Sequence, residues 1–242
     1  MTIHGKTALV TGASRGIGQA LVEEALRRGA ARVYAAARNP VAHADERVTP
    51  LRVDVSDAKQ VQQAAATVGS LALLINNAGV QPLDDLSRPA AIEQALAVNL
   101  LGPYLMSQAF RPALIRSRGT IVNNLSLAAL APLPFAPAYS ISKAAALSLT
   151  QSLRMLLARH GVTVHSVLTG PVDTEMTRGL EIPKASPESV ARAIFDGIAN
   201  GDEDIFPDAL SQALAEGWRG GVVKQFERQN AALLPAAEPI AS

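Results

Sequence analysis

The stretch "YSISKAAALSLT", Tyr139 to Thr150, opens a helical run with a phenol and an ammonium four residues apart. Side chains at i and i+4 share a helix face, so Tyr139 and Lys143 are able to approach one another. Such a pair suits proton transfer. A free phenol titrates near 10, too high for a base at neutral pH, and a neighbouring ammonium favours the phenolate. Taken alone, the pair is better explained by a helix-start aromatic with its tip in water and a surface lysine whose stem lies along apolar neighbours. The Ala/Leu run behind it reads as packing.

A second stretch bears chemistry of another kind. "TGASRGIG", Thr11 to Gly18, follows an apolar run and carries glycines at 12, 16 and 18. A loop that joins a strand to a helix N-terminus presents free N–H groups and the positive end of the dipole to a phosphate. Its glycines permit a tight turn and close approach of a pyrophosphate. Without a ligand the same residues make an ordinary glycine-rich turn. Further along stand "NNAG" at 76–79, Asn99 in "AVNLLG", Ser126 in "IVNNLS" and "TGPVDT" at 169–174. Singly, Ser126 is a strand-end turn residue and Asn99 a helix-kink or cap residue.

In this order the stretches resemble the short-chain dehydrogenase/reductase family, with its T-G-x-x-x-G-x-G and Y-x-x-x-K signatures, from about residue 4 to 207. The resemblance implies hydride transfer between a nicotinamide and a carbonyl carbon, with Tyr139 as the acid/base. Lys143 would lower the phenol's pKa and bind the nicotinamide ribose. Ser126 would hydrogen-bond the substrate oxygen where negative charge develops, and Asn99 would hold a water that relays protons. Cofactor contacts are implied for Gly12, Ser14, Arg15, Gly16, Ile17 and Gly18 in the first loop. Arg38, Asp54 and Val55 would follow at the adenosine end, and Asn77, Ala78 and Gly79 beside them. Gly170, Val172 and Thr174 would lie over the nicotinamide together with Tyr139 and Lys143. Thr169 departs from the pattern, since the family usually has proline there; the change would loosen that loop.

Members that use NAD place an acidic residue at the end of the second strand. Here Ala37 occupies that place, Arg38 follows, and Arg15 approaches from the glycine loop. Guanidinium donors and neutral space suit a 2′-phosphate, so NADP(H) is expected over NAD(H), unless both arginines are merely solvated. Leu127, Leu130, Leu133, Pro134, Phe135 and Met176 make the implied pocket apolar, and no Arg or Lys near Ser126 is placed to clamp an anion. An uncharged, fairly hydrophobic ketone, aldehyde or alcohol is the expected substrate. A 3-oxoacyl-thioester reductase of lipid or polyketide synthesis is an alternative, and a non-catalytic NADP(H)-binding sensor or scaffold is another. The helices near 90–116 and 138–160 have more apolar surface than one sheet can cover. In the resembling family such helices pair, so a homo-oligomer is expected, a tetramer ahead of a dimer.

The elements that must position these residues are those of an α/β fold. Apolar strands alternate with helical periodicity, which predicts a Rossmann-type doubly wound parallel sheet with helices on both faces, in a single domain over 1–242. Strands are expected at 6–12, 32–37, 50–55, 71–79, 119–126, 162–170 and 203–207. Helices are expected at 17–29, 57–68, 90–116, 138–160, 187–199 and 208–229, with a flexible tail from about 231. The 242 residues carry a formal net charge of +1 and are 48% hydrophobic, which argues against nucleic acid or an anionic membrane as main partner. There is no cysteine, and the four histidines, His4, His43, His160 and His165, lack ligand spacing, so no metal is expected. Prolines at 132, 134 and 137 break the charge-free run after Arg118, which excludes a spanning helix there. The opening "MTIHGKTALVTG" lacks a basic start and apolar signal core, so the cytoplasm is the expected location.

Overall fold

The computed structural model describes residues 2–231. Seven strands form one parallel sheet: β1 (Thr7–Thr11), β2 (Arg32–Ala37), β3 (Val48–Arg52), β4 (Leu73–Asn76), β5 (Thr120–Asn124), β6 (Thr163–Val167) and β7 (Asp204–Ile205). Their order across the sheet is β3-β2-β1-β4-β5-β6-β7, the expected doubly wound arrangement. Parallel neighbours require a crossover, and helices supply it. On one face lie α1 (Gly16–Arg27) and α6 (Pro187–Asn200). On the other lie α2 (Ala58–Val68), α4 (Gly102–Ser117) and α5 (Pro137–Ala158), with α3 (Pro89–Leu96) leading into α4. The strands read apolar throughout because both faces are covered. Val10, Ile75 and Val122 pack with Leu21, Ile194 and Phe195, while the intervening Leu9, Leu74 and Ile121 pack with Phe110, Leu114 and Leu153.

The differences from expectation have local causes. β3 begins at Val48 and carries Pro50 within it, opposite Ala35. Because β3 is an edge strand, the missing N–H of Pro50 breaks no second ladder. The chain leaves the sheet after Arg52, so Asp54 and Val55 lie beyond the strand end. The helix expected over 90–116 is divided by a π-helical segment, Ala97–Leu101, between α3 and α4. The helix expected over 208–229 is two, α7 (Ala209–Arg219) and α8 (Val222–Ala231), parted at Gly220 and Gly221. Ala231 ends α8, and the rest of the expected tail lies outside the described residues. Among the described residues no helix is long and apolar enough to cross a membrane.

A buried ion network fastens α8 to the sheet edge. Lys224 Nζ lies 2.7 Å from Asp204, 3.0 Å from Glu203 and 2.9 Å from Glu227. Arg154 of α5 reaches Asp204 at 2.9 Å and Glu227 at 2.5 Å, and Trp218 Nε1 donates to Asp204 at 2.8 Å. Burial alone would raise the Asp204 carboxyl, but Arg154, Lys224 and Ser166 outweigh it and hold it at about 2. A carboxyl whose folded pKa is depressed stabilises the fold above its unfolded pKa and loses that contribution as pH falls through the folded value. Acid should therefore remove about 2 kcal/mol through this group between roughly pH 4 and pH 2. Urea unfolding across that range should show the loss in the native chain and a shallower pH slope in Asp204→Asn; equal slopes would refute the assignment.

Candidate active site

The order of the sheet reverses beside β1, and the crevice beyond the carboxyl ends of β1 and β4 is where such sheets bind ligands. The glycine loop borders this crevice. Gly12 and Gly16 have φ of +64° and +55°, a region costly for other residues. A Cβ on Gly12 would stand 2.9 Å from Ala78 Cα, so the loop and the start of the segment after β4 are in direct backbone contact. Gly18 packs still more closely, against the Gly12 carbonyl and the Asn77 amide. Arg15 has extended backbone at the α1 N-cap without a side-chain cap, and Ser14 beside it is exposed. Ile17 turns inward onto the core. The result is a helix N-terminus with its backbone bare toward the crevice, which fits a pyrophosphate.

Thr11 and Asn77 fix this loop from below. The Thr11 hydroxyl accepts from the N–H groups of Asn77 and Ala78 at 2.9 and 3.0 Å. Asn77 Nδ2 donates to the Thr11 carbonyl at 3.0 Å and the Gly12 carbonyl at 3.4 Å. At the position expected to meet the adenosine, Asp54 accepts from Ser56 N and Oγ at 3.0 and 2.7 Å. These bonds lower its carboxyl pKa, and the charge of exposed Arg38 adds to the effect. Val55 is buried against Gly102, where a Cβ would come within 2.8 Å of its Cγ2, so α4 begins at a glycine.

Tyr139, Lys143, Asn99 and Ser126 gather at the ends of β4 and β5. Tyr139 and Lys143 occupy successive turns of α5, 7% and 5% exposed, with Lys143 Nζ 5.6 Å from the phenol ring centre. Nζ donates to the Asn124 carbonyl at 2.8 Å. Burial pushes the Tyr139 phenol up to about 12, against a hydrogen bond with Ser126 that pulls it down. Burial also lowers the Lys143 ammonium to about 8. The expected lowering of the phenol by Lys143 is thus corrected for the protein alone: desolvation favours the neutral form of each group and dominates. Ser126 lies beyond the strand that it was expected to close; it caps a 3-10 turn, Leu127–Ala129, accepting from Ala128 N at 3.1 Å.

Asn99 stands in the π segment, 2% exposed. Its Oδ1 accepts from Val80 N at 2.9 Å, and its Nδ2 donates to the Val80 carbonyl at 2.9 Å and Ser142 Oγ at 2.8 Å. Both Nδ2 hydrogens and one Oδ1 lone pair are thus used in holding the segment after β4 against α5. A Cβ on Gly79 would lie 3.3 Å from Asn99 Oδ1 and 3.9 Å from Lys143 Nζ, which places Gly79 against both. Across the crevice, Gly170 donates its N–H to Asp208 at 2.7 Å, and a Cβ there would meet that carboxylate at 2.5 Å. Val172 is buried and accepts from Thr177 Oγ1, while Thr174 caps the next 3-10 turn and lies against Gly16. His165 is a core residue of β6 whose Nδ1 lies 2.6 Å from the Asp202 carbonyl; burial lowers its pKa.

Three contributors were not legible beforehand. Asp84 caps α5, whose own N-cap Ala136 offers no side-chain acceptor, by taking Ala138 N at 3.2 Å from 54 residues away. Ser142 anchors Asn99, and Asn124 receives Lys143. The paired asparagines at 123 and 124, ending an apolar strand, are the one sequence signal among them. Among the described residues no group of three or more His, Asp or Glu side chains is gathered to hold a metal.

Comparison with known proteins agrees with this geometry. Residues 6–184 match the short chain dehydrogenase family. A short chain dehydrogenase from Burkholderia cenocepacia J2315, solved in complex with NADP, is 38% identical, with a TM-score of 0.85 over 97% of this chain and 100% of that one. A sorbitol dehydrogenase of Cereibacter sphaeroides is 34% identical over 79% of this chain and 80% of its own length. An NADPH-dependent 1-acyldihydroxyacetone phosphate reductase of Schizosaccharomyces pombe is 39% identical over 71% of this chain, which spans 61% of that enzyme. The glycine loop, the dry tyrosine–lysine pair and these relatives together make the chain a member of the short-chain dehydrogenase family of oxidoreductases.

Proposed function

We propose that the protein is an NADP(H)-dependent carbonyl reductase or alcohol dehydrogenase acting on an uncharged, fairly hydrophobic substrate. The observation that carries this reading is the convergence of Ser126, Tyr139 and Lys143 beside a bare glycine-loop helix N-terminus. Bound there, a nicotinamide supplies or takes up hydride. The chain's own groups do the rest. Ser126 is placed to donate a hydrogen bond to the substrate oxygen as charge develops on it. Tyr139, protonated at neutral pH because its pKa stands near 12, is ready to give that oxygen its proton. The resting protonation state therefore suits reduction, whereas oxidation needs added positive charge to draw the proton off. Gly12, Gly16 and Gly18 would admit the pyrophosphate, and Gly79, Lys143, Gly170, Val172 and Thr174 would surround the nicotinamide half.

Two features support the finer reading. Arg15 and Arg38 are exposed at the adenosine end and no acidic residue stands at position 37, and the Burkholderia relative was solved with NADP. Leu127 and Leu130 pack with Phe206 and Trp218, Leu133 packs with Tyr139, and Phe135 and Met176 remain exposed, so the wall beside the phenol is apolar. A Brucella melitensis 3-ketoacyl-(acyl-carrier-protein) reductase complexed with NADH shares the fold with a TM-score of 0.74, but at 23% identity it carries no argument for a thioester substrate. Leu101 and Tyr104 near the start of α4, and Ile141 and Leu156 on α5, are exposed apolar side chains that a second copy would cover. A homo-oligomer, a tetramer ahead of a dimer, in the cytoplasm belongs to the same reading.

Three measurements test it. Tyr139→Phe should lose about 10²- to 10⁴-fold in turnover with a ketone or aldehyde screened by NADPH oxidation. Its NADPH affinity should stay within about threefold, since the phenol's loss costs little binding; retained turnover would overturn the mechanism. Arg38→Asp should reduce kcat/KM for NADPH by about tenfold or more while sparing NADH, one guanidinium–phosphate contact being worth at least that; unchanged NADPH use would refute the cofactor preference. Light scattering at micromolar concentration should return a mass above that of one chain, and a monomer would exclude the assembly.

A further inference from the structure

Thr169, where the resembling family usually has proline, begins a directed chain of hydrogen bonds beneath the crevice. Its hydroxyl donates to Asn124 Oδ1 at 2.9 Å. Asn124 Nδ2 donates to Asn77 Oδ1 at 2.9 Å. Asn77 Nδ2 in turn donates to the carbonyls of Thr11 and Gly12 at 3.0 and 3.4 Å. These residues stand at the carboxyl ends of β6, β5, β4 and β1, which are consecutive neighbours in the sheet. Each bond crosses one strand gap. The whole forms a girdle from the loop that leads to Gly170 across to the glycine loop.

The direction of the girdle is forced. Backbone carbonyls only accept, so Asn77 must turn its amide nitrogen to Thr11 and Gly12 and its oxygen to Asn124. Asn124 must then donate to Asn77 and turn its own oxygen to position 169. A side chain at 169 continues the girdle only by supplying a donor, and the threonine hydroxyl does. Proline has no donor at its side chain and would remove this bond from the partly buried Asn124 oxygen, next to Thr169, which is 5% exposed. Asn124 is also the residue whose carbonyl receives Lys143 Nζ. The expectation that threonine here loosens the loop is thereby reversed: the hydroxyl ties it.

We propose that Thr169 is a positioning residue for the cofactor crevice, its hydroxyl setting the orientation of Asn124 and, through Asn77, the geometry of the glycine loop. The role in cofactor binding rests on the function proposed above; the girdle itself does not. Two measurements on the whole chain separate them. In ¹⁵N-labelled protein without cofactor, Thr169→Val should move the side-chain amide resonances of Asn77, which Thr169 does not touch, and Thr169→Ser should return them toward native positions. In fluorescence titrations with NADPH and NADH, Thr169→Val should weaken whichever coenzyme binds by roughly three- to tenfold, with Thr169→Ser within about twofold of native. Should Thr169→Val not fold, Thr169→Ala with the same serine rescue gives both readouts. Asn77 resonances that stay in place in the donor-less variant, or serine failing to restore them, would overturn the girdle. Moved resonances with unchanged coenzyme affinity would overturn the positioning role. A native chain that binds neither coenzyme would refute the proposed function and leave the resonance test to decide the girdle.

Discussion

A lysine that is 5% exposed must place its ammonium on an acceptor, and in this chain the acceptor is the carbonyl of Asn124, 2.8 Å away. That bond ties α5 to the end of β5 and fixes the distance from Nζ to the Tyr139 ring. The neighbouring elements arrange themselves around it. Asn99 presses the segment after β4 toward the lysine through Val80 and Ser142, and Gly79 lacks a side chain where one would crowd Asn99 Oδ1. The π segment that carries Asn99 interrupts a long helix at the place where a regular helix would carry its side chain on elsewhere.

The fold keeps its two buried charge systems apart. At the carboxyl edge of the sheet, Tyr139 and Lys143 are dry and carry no carboxylate partner, so both drift toward neutrality. At the far edge, buried Lys224 and partly buried Arg154 are matched by Asp204 and Glu227, and there the Asp204 carboxyl stays ionised. The same desolvation gives opposite outcomes because partners exist in one place and not in the other. A matched network resists change of charge and suits holding α8 in place. An unmatched pair responds to any charge brought near it, which suits a site for proton transfer.

What the sequence revealed was local. The glycine loop is a contiguous turn, and Tyr139 and Lys143 are one helical turn apart, so their spacing alone puts them together. The alternation of apolar runs was enough for the doubly wound sheet. The features that escaped depend on partners distant in sequence. Asp84 caps α5 from another loop, and Asn124, Asn77 and Thr169 meet only because their strands are neighbours. The break at Gly220 and Gly221 and the π segment at Asn99 left no mark strong enough against helical periodicity on both sides. Pro50 seemed to start β3, but edge position in the sheet, not residue type, decides whether a strand tolerates it.

The reversal at Tyr139 follows from where the sequence argument took its dielectric. An ammonium four residues away lowers a phenol's pKa when the ammonium is charged and the phenol partly solvated. In the folded chain, burial takes water from both, and at 5.6 Å from the ring the lysine is itself weakened as a cation by the same loss. Desolvation acts on each group in proportion to its own burial, whereas the attraction between them exists only if both are ionised, so the self-energies win unless further positive charge enters the crevice. On the function proposed above, the site would hold a proton on Tyr139 at rest and release it when the local charge changes.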